Sequence, residues 1–261
     1  MQYTANLFSI AALLLYSVSF AVSLWKFVKG DSRPFLSRLL LLIAIAIHFV
    51  ALILRSYYVG HAPMANLYET LLFFSFSVSL ATLVYNFRYK VGIMELISIP
   101  VASGLLAFAI SVDHKFTPLF LALKTIWFEV HVMASFAGYA LFTVSFAAAF
   151  FFLCHMKRDP VKSKVYEEIV NSSNVWGFSF FSLAMFSGAI WAYLAWGNYW
   201  FWEPKTLWSF ILWFYFAGIV HGHYLKSWRG KKVAWMTIFG FLVVIFTYVG
   251  VGLLMKSSHK L

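Results

Sequence analysis

Residues 196–208 read WGNYWFWEPKTLW. Trp196, Trp200, Trp202 and Trp208 stand there with Tyr199 and Phe201, around Gly197, Asn198 and a Glu203-Pro204-Lys205 turn. Flat rings at that density suit a flat, wide ligand that presents a π face. His131, His221 and His259 add a second kind of chemistry, because neutral imidazole is an axial ligand for iron. An iron porphyrin joins the two sets. Its faces stack on Trp and Tyr, its iron takes one or two imidazoles, and its carboxylates seek cations or amide donors. Lys205 is the cation of the loop and Asn198 its neutral donor.

The elements that would position these groups are membrane helices. Of the 261 residues 62% are hydrophobic and only 11% charged. Such a chain cannot clothe itself in a charged surface, and apolar runs of roughly 20 residues recur along it. Apolar length read against charge and turn signals predicts eight spans, at 4–25, 36–57, 68–87, 92–110, 130–153, 177–196, 207–225 and 234–255. The expected fold is an all-α, polytopic integral membrane helix bundle forming one domain over residues 1–261. The first run, Tyr3 to Trp25, lacks a basic leader and a small-residue cleavage site, so it reads as a retained helix rather than a signal peptide.

Charge sets the expected orientation. Lys26, Lys29, Arg33 and Arg38 follow the first span, Arg88 and Lys90 the third, Lys157, Arg158, Lys162 and Lys164 the fifth, and Lys226, Arg229, Lys231 and Lys232 the seventh. These alternate connections hold fourteen of the twenty basic residues, which places them in the cytoplasm and both termini outside. The net charge of +11 then reflects this asymmetry and anionic lipid headgroups, and nucleic acid is not an expected partner. The aromatic loop falls on the outer face, with His131 at the outer start of span five and His259 past the outer end of span eight. His221 lies roughly 20 Å along span seven, toward the cytoplasmic side. An ionisable group at that depth invites a functional reading.

Plainer readings stand beside these. Trp and Tyr gather at membrane interfaces without any cofactor, and an interfacial histidine is often simply hydrogen-bonded to a neighbour. The shared face of His131, His259 and the loop, and the shaping of that loop by Gly197 and Pro204, weigh against the belt. His223, two positions after His221, points to another side of its helix and reads as an inner-interface residue. His48 is read as a satisfied core histidine, with a second haem contact as its alternative. His61, His114 and His155 fall in loops or at span ends. The single cysteine, Cys154, excludes an internal disulfide and excludes a Cys-x-x-Cys-His attachment site within this chain, so whatever this chain holds is not bound through thioethers.

The segment from Trp196 to Tyr224 resembles the tryptophan-rich WWD segment of the CcsA/ResC proteins of System II cytochrome c biogenesis, relatives of CcmC and CcmF. GHAPMANLYETLLFF at 60–74, EVHVMASFAGYALF at 129–142 and FTYVGVGLLMKSSHK at 246–260 resemble further stretches of that family in the same order. The resemblance runs from about residue 40 to the C-terminus. It implies two outer axial histidines at His131 and His259, a transmembrane histidine ligand at His221, and a haem platform at Trp196, Gly197, Trp200, Trp202, Pro204 and Lys205. Two positions depart from the family's usual pattern: Glu203 stands where Asp is usual, keeping a carboxylate, and Thr206 where Glu is usual, losing a charge.

What the resemblance implies is a haem-handling subunit of a cytochrome c synthase, with haem b as substrate and bound ligand. Such a subunit presents haem at the outer face for attachment to an apocytochrome c carrying CxxCH, and works with a CcsB/ResB-like membrane protein that supplies a second transmembrane histidine. The setting would be the bacterial inner membrane, or a thylakoid membrane if the chain is plastid-encoded. The alternatives are a haem exporter or carrier of CcmC type, and a membrane assembly protein without a cofactor.

Overall fold

The computed structural model describes residues 2–30, 35–112 and 120–255. Among them no strand occurs, and eight principal helices coincide with the eight expected spans: α1 Gln2–Lys29, α2 Phe35–Val59, α3 Leu67–Tyr89, α4 Glu95–Ser111, α5 Ile126–His155, α6 Pro160–Trp196, α7 Pro204–Tyr224 and α8 Lys231–Ile245. α8 runs on through a π-helical turn, Phe246–Gly250, into a last turn, α9 Val251–Leu254. Among the described residues six helices are long and apolar enough to cross a membrane: α1, α2, α3, α5, α6, and α8 together with its π turn. The chain is a polytopic integral membrane protein. Of the other two, α4 is short at 17 residues, and α7 is diluted by Lys205, four polar-tipped rings (Trp208, Trp213, Tyr215, Tyr224) and two histidines.

One boundary moves far from its expected place. α6 begins at Pro160 rather than 177 and has 37 residues, about 55 Å at 1.5 Å per residue. That exceeds a hydrocarbon core of about 30 Å, so Lys162 and Lys164 lie on helix, not in a loop. The reason is local. Asp159 caps the helix by accepting from the backbone N–H of Lys162 at 3.0 Å, Pro160 occupies the first helical position where its missing N–H costs nothing, and apolarity alone registers only the membrane part. That backbone N–H also holds the Asp159 carboxyl below the usual carboxylate range.

Internal contacts divide the chain into two compact units, Met1–Phe120 and Leu121–Leu261. In the first, α1 packs on α2 and α4, and α3 on α2 and α4. One buried ion pair joins α2 to the 60–74 motif. Arg55 and Glu69, each 1% exposed, pair through Nε and Nη2 onto the same carboxylate oxygen at 3.0 and 2.9 Å. The other Glu69 oxygen accepts from Ala65 N, and Asn66 caps α3 by accepting from Glu69 N. The guanidinium also sits over the Tyr68 ring, 5.1 Å from its centroid. Also in this unit His48 is fully buried, with Nδ1 3.1 Å from the Tyr16 hydroxyl and Nε2 without a hydrogen-bond partner among the described residues; the core reading of this residue is half satisfied.

In the second unit the α5–α6 hairpin is the centre, with α8 against α5 and α7 against both α6 and α8. Small residues let α5 and α6 approach closely: a Cβ on Gly177 would lie 2.6 Å from the Phe142 ring. Phe142 in turn stacks on Phe216 of α7. A polar knot ties all four helices, since Asn174 accepts from Ser145 at 2.7 Å and donates to Thr237 at 3.0 Å, with His223 Nε2 3.4 Å away. His223 is accordingly buried, as its place on the helix face implied.

Candidate functional site

The aromatic stretch is a short loop, residues 197–203, followed by the first turns of α7. Gly197 ends α6 with φ +78, a left-handed conformation that glycine takes without strain, and its N–H bonds to Tyr193 O at 2.8 Å. Glu203 stands at the N-cap position of α7 and Pro204 opens the helix. This sharp exit and re-entry confine the rings between them to one end of the hairpin. Tyr199 stacks on Tyr193 with centroids 4.4 Å apart and planes 8° off parallel. Trp200 packs edge-on against Trp202 at 5.5 Å and Phe210 at 5.2 Å. Trp208 leans on Phe246 of the π turn at 4.5 Å, so the loop's last tryptophan touches the segment that leads toward the C-terminus.

The loop keeps much of its ring surface outside. Trp202 is 84% exposed, Tyr199 58% and Trp196 42%, and Asn198 is exposed as well. Two donors lack their usual partners among the described residues. The indole N–H of Trp200 is buried with no hydrogen-bond partner, and the half-buried Lys205 ammonium has no carboxylate partner among the described residues. A buried indole N–H normally finds an acceptor. A ligand with an aromatic face and carboxylates at its edge supplies what this loop lacks, so the donor set and rings fit a porphyrin.

His131 is held beside this loop. It lies in the second turn of α5, a helix started by Thr125, whose hydroxyl accepts from Phe128 N. Its Nδ1 is 2.7 Å from Ala184 O on α6. A carbonyl only accepts, so Nδ1 carries the proton and the lone pair of the neutral ring is on Nε2. The imidazole lies 17° from parallel with Trp191, centroids 6.2 Å apart. Trp191 contacts Trp196 at 4.8 Å, and Trp196 contacts Phe201 at 5.6 Å. Rings therefore run without a break from His131 into the loop.

The structure does not bring His221 to the same place. It sits about 25 Å along α7 from Pro204, exposed, with Nδ1 2.8 Å from Ala217 O one turn back. The same tautomer argument puts its lone pair on Nε2, directed away from the helix. His259 and His114 lie outside the described residues. His61 and His155 occupy a turn and a helix end, each with Nδ1 on a nearby carbonyl.

Sequence reasoning passed over Ala184, Gly188, Trp191 and Phe128, which surround His131. All but Phe128 fall inside the apolar run 177–196 and read there as span. A tryptophan well inside that run, three residues after a glycine, is the signal that marked them.

The family model described as Cytochrome C assembly protein matches residues 64–259. The cytochrome c biogenesis protein CcsA of Prochlorococcus marinus strain MIT 9312 is 31% identical over 277 residues, covering 93% of this chain and 89% of the relative. That of Prochlorococcus marinus strain NATL2A is 30% identical over 290 residues, covering 96% and 92%. The CcsA protein of Chlamydomonas reinhardtii is 30% identical over 215 residues, 77% of this chain, which spans only 61% of that relative. Among solved structures, one titled Cytochrome c Heme Lyase CcmF superposes with a TM-score of 0.74 at 20% identity. It covers 98% of this chain, which spans about half, 47%, of that structure's length; the likeness is one of fold.

Proposed function

The chain belongs to the cytochrome c assembly protein family, alongside the CcsA proteins, and from that premise we propose that it is the haem-handling subunit of a cytochrome c synthase. Its aromatic loop holds haem as substrate at the outer membrane face and offers it to an apocytochrome c bearing CxxCH. One observation carries the reading: exposed rings and, among the described residues, a buried indole N–H without an acceptor and an ammonium without a carboxylate partner meet in the loop and the first turn of α7, joined by contacting rings to a histidine whose lone pair is on Nε2.

Each group then has a role in holding the substrate. Trp196, Trp200 and Trp202, shaped by Gly197 and Pro204, give the face; Trp208 and Glu203 frame it. Lys205, the Trp200 N–H and Asn198 meet the carboxylates. His131 ligates one side of the iron through Nε2, and His259 is the second axial ligand. The thioether bonds form when each cysteine S–H of the apocytochrome adds across a vinyl group, sulfur to one carbon and hydrogen to the other, with no net redox change. The loop contributes by fixing the ring so that the vinyl edge stays open.

His221 belongs to a separate step. An exposed side chain with its Nε2 directed outward from a membrane helix suits a ligand shared with a second protein, and the proposed partner is a CcsB/ResB-like membrane protein carrying the other histidine. Positive charge in alternate connections supports an outer loop and outer termini; this orientation takes all eight principal helices as crossings, α4 and α7 included.

The test is spectroscopic. The detergent-purified protein, supplied with hemin, is expected to show the Soret band of low-spin bis-imidazole haem. A His131→Ala variant is expected to lose it and regain it with added imidazole. A preparation that stays colourless sinks haem handling altogether. Haem bound normally but never transferred to a CxxCH peptide, with and without the CcsB-like partner, would favour a carrier over a synthase subunit.

A further inference from the structure

The face of α6 opposite His131 is shaped to that imidazole. Ala184, Gly188 and Trp191 follow one another at i, i+4 and i+7, one stripe of a helix. The Ala184 carbonyl lies in mid-helix, where it serves the helical N–H four residues on; it also takes the His131 Nδ1–H at 2.7 Å, the shorter of its two side-chain contacts, with the Ser187 hydroxyl at 3.2 Å. At Gly188 a Cβ would lie 2.5 Å from Nδ1 and 2.8 Å from Cε1 of His131. The ring occupies the space that any other residue's side chain would need. Trp191 closes the stripe with its indole 17° from parallel to the imidazole. It is itself pinned, since its Nε1 donates to Ala122 O at 2.7 Å and Phe128 packs on it at 5.3 Å.

A histidine merely filling a helix interface needs none of this specificity. Apolar packing is tolerant of ring rotation, whereas this stripe fixes three separate properties of the imidazole: which nitrogen is protonated, where the ring plane lies, and how near the ring sits to α6. Those are the properties that a metal-ligating histidine takes from its outer partners. Trp191 adds a link, because it also contacts Trp196 at the head of the aromatic loop. We propose that Ala184, Gly188 and Trp191 form a socket that orients His131 for iron ligation and ties its position to the loop. The inference rests on the reading of His131 as an axial ligand and assigns the three residues a positioning role.

The experiment uses the full chain in detergent, titrated with hemin, and reads affinity, spin state and reduction potential rather than transfer activity. Gly188→Ala pushes the imidazole aside while leaving the helices in place. It is expected to weaken hemin binding by about ten- to a hundred-fold and to convert the low-spin spectrum to high-spin, with added imidazole restoring the low-spin form. Trp191→Leu removes the stack without adding bulk, and is expected to shift the potential and the spin equilibrium in the same sense, while Trp191→Phe retains most of the original spectrum. Gly177→Ala is the control on the same two helices. Its Cβ meets Phe142, not His131, so it is expected to lower the thermal midpoint and leave the haem spectrum unchanged.

If Gly188→Ala and Trp191→Leu keep the low-spin spectrum, potential and affinity within about twofold, or match the behaviour of Gly177→Ala, the socket is overturned. Should Gly188→Ala fail to fold, Trp191→Leu decides alone. His131→Ala separates this outcome from failure of the underlying reading. Loss of the low-spin form in His131→Ala with no effect at Gly188 and Trp191 removes only the socket; no effect in His131→Ala removes the axial ligand as well.

Discussion

Around Glu69 in the first unit, the guanidinium of Arg55, the carboxylate and the backbone N–H groups of Ala65 and Glu69 close on one another inside the protein. Around Trp200 and Lys205 in the second unit, among the described residues, a buried indole N–H has no acceptor and an ammonium has no carboxylate partner, and neighbouring rings stand open. Both stretches are dense in polar and aromatic residues, and both belong to the motifs that carry the family resemblance. The difference separates two reasons for such density. A buried carboxylate must be neutralised and hydrogen-bonded where it stands, so a closed knot is what stability alone would build. A site for a ligand has to leave groups unspent until the ligand arrives.

The strongest way to break that contrast is to cut the knot. Glu69→Ala leaves the Arg55 charge buried and uncompensated, and should cost about 3–5 kcal/mol of stability, read as a lowered midpoint in detergent denaturation. Haem retained by the surviving folded fraction should keep its spectrum. A changed spectrum would mean that the knot serves the site.

Next in size is Lys205→Met, which removes the proposed carboxylate partner. A hydrogen bond to a charged group contributes about 1.5–3 kcal/mol, so hemin should bind at least tenfold more weakly while the melting midpoint holds; Lys205→Arg should recover most of the affinity. Equal hemin binding in both variants would take Lys205 out of the site.

Trp202→Ala sharpens the comparison further, because the side chain is 84% exposed and contributes little to folding. Stability should move by less than about 0.5 kcal/mol, and hemin affinity should fall about tenfold, equal to 1.4 kcal/mol. A stability loss without an affinity loss would return the loop to an interfacial belt. The smallest effect is expected for Asn66→Ala, where α3 loses its N-cap at a cost of about 1 kcal/mol. Hemin titration should not register it.

Much of this was legible along the chain. Long apolar runs broken by charge and glycine gave the number and order of helices, because a segment crossing hydrocarbon must satisfy its backbone internally and carry an apolar exterior. The aromatic loop was legible for a different reason: four tryptophans within 13 residues are too many for chance, and the Gly197 and Pro204 that shape them are local signals. The type and place of His131 mark it as a candidate, and helical angle turns His223 to another side of its helix from His221. The beginning of α6 was missed because its first four turns are polar, and helix there is set by a cap and a proline rather than by apolarity.

What the sequence determined by itself is therefore what depends on local composition: all-helical membrane architecture, the position of the loop, and the residue types able to hold a porphyrin. Only the tertiary structure decided which of those residues share a place. His131 meets α6 fifty-three residues on, at Ala184, through a carbonyl that every residue possesses and a glycine that looked like ordinary span. No residue type records such a contact. It arises where two helices pack, and there the hydrogen bond to Ala184 fixes the tautomer of His131 while Trp191 fixes the plane of its ring.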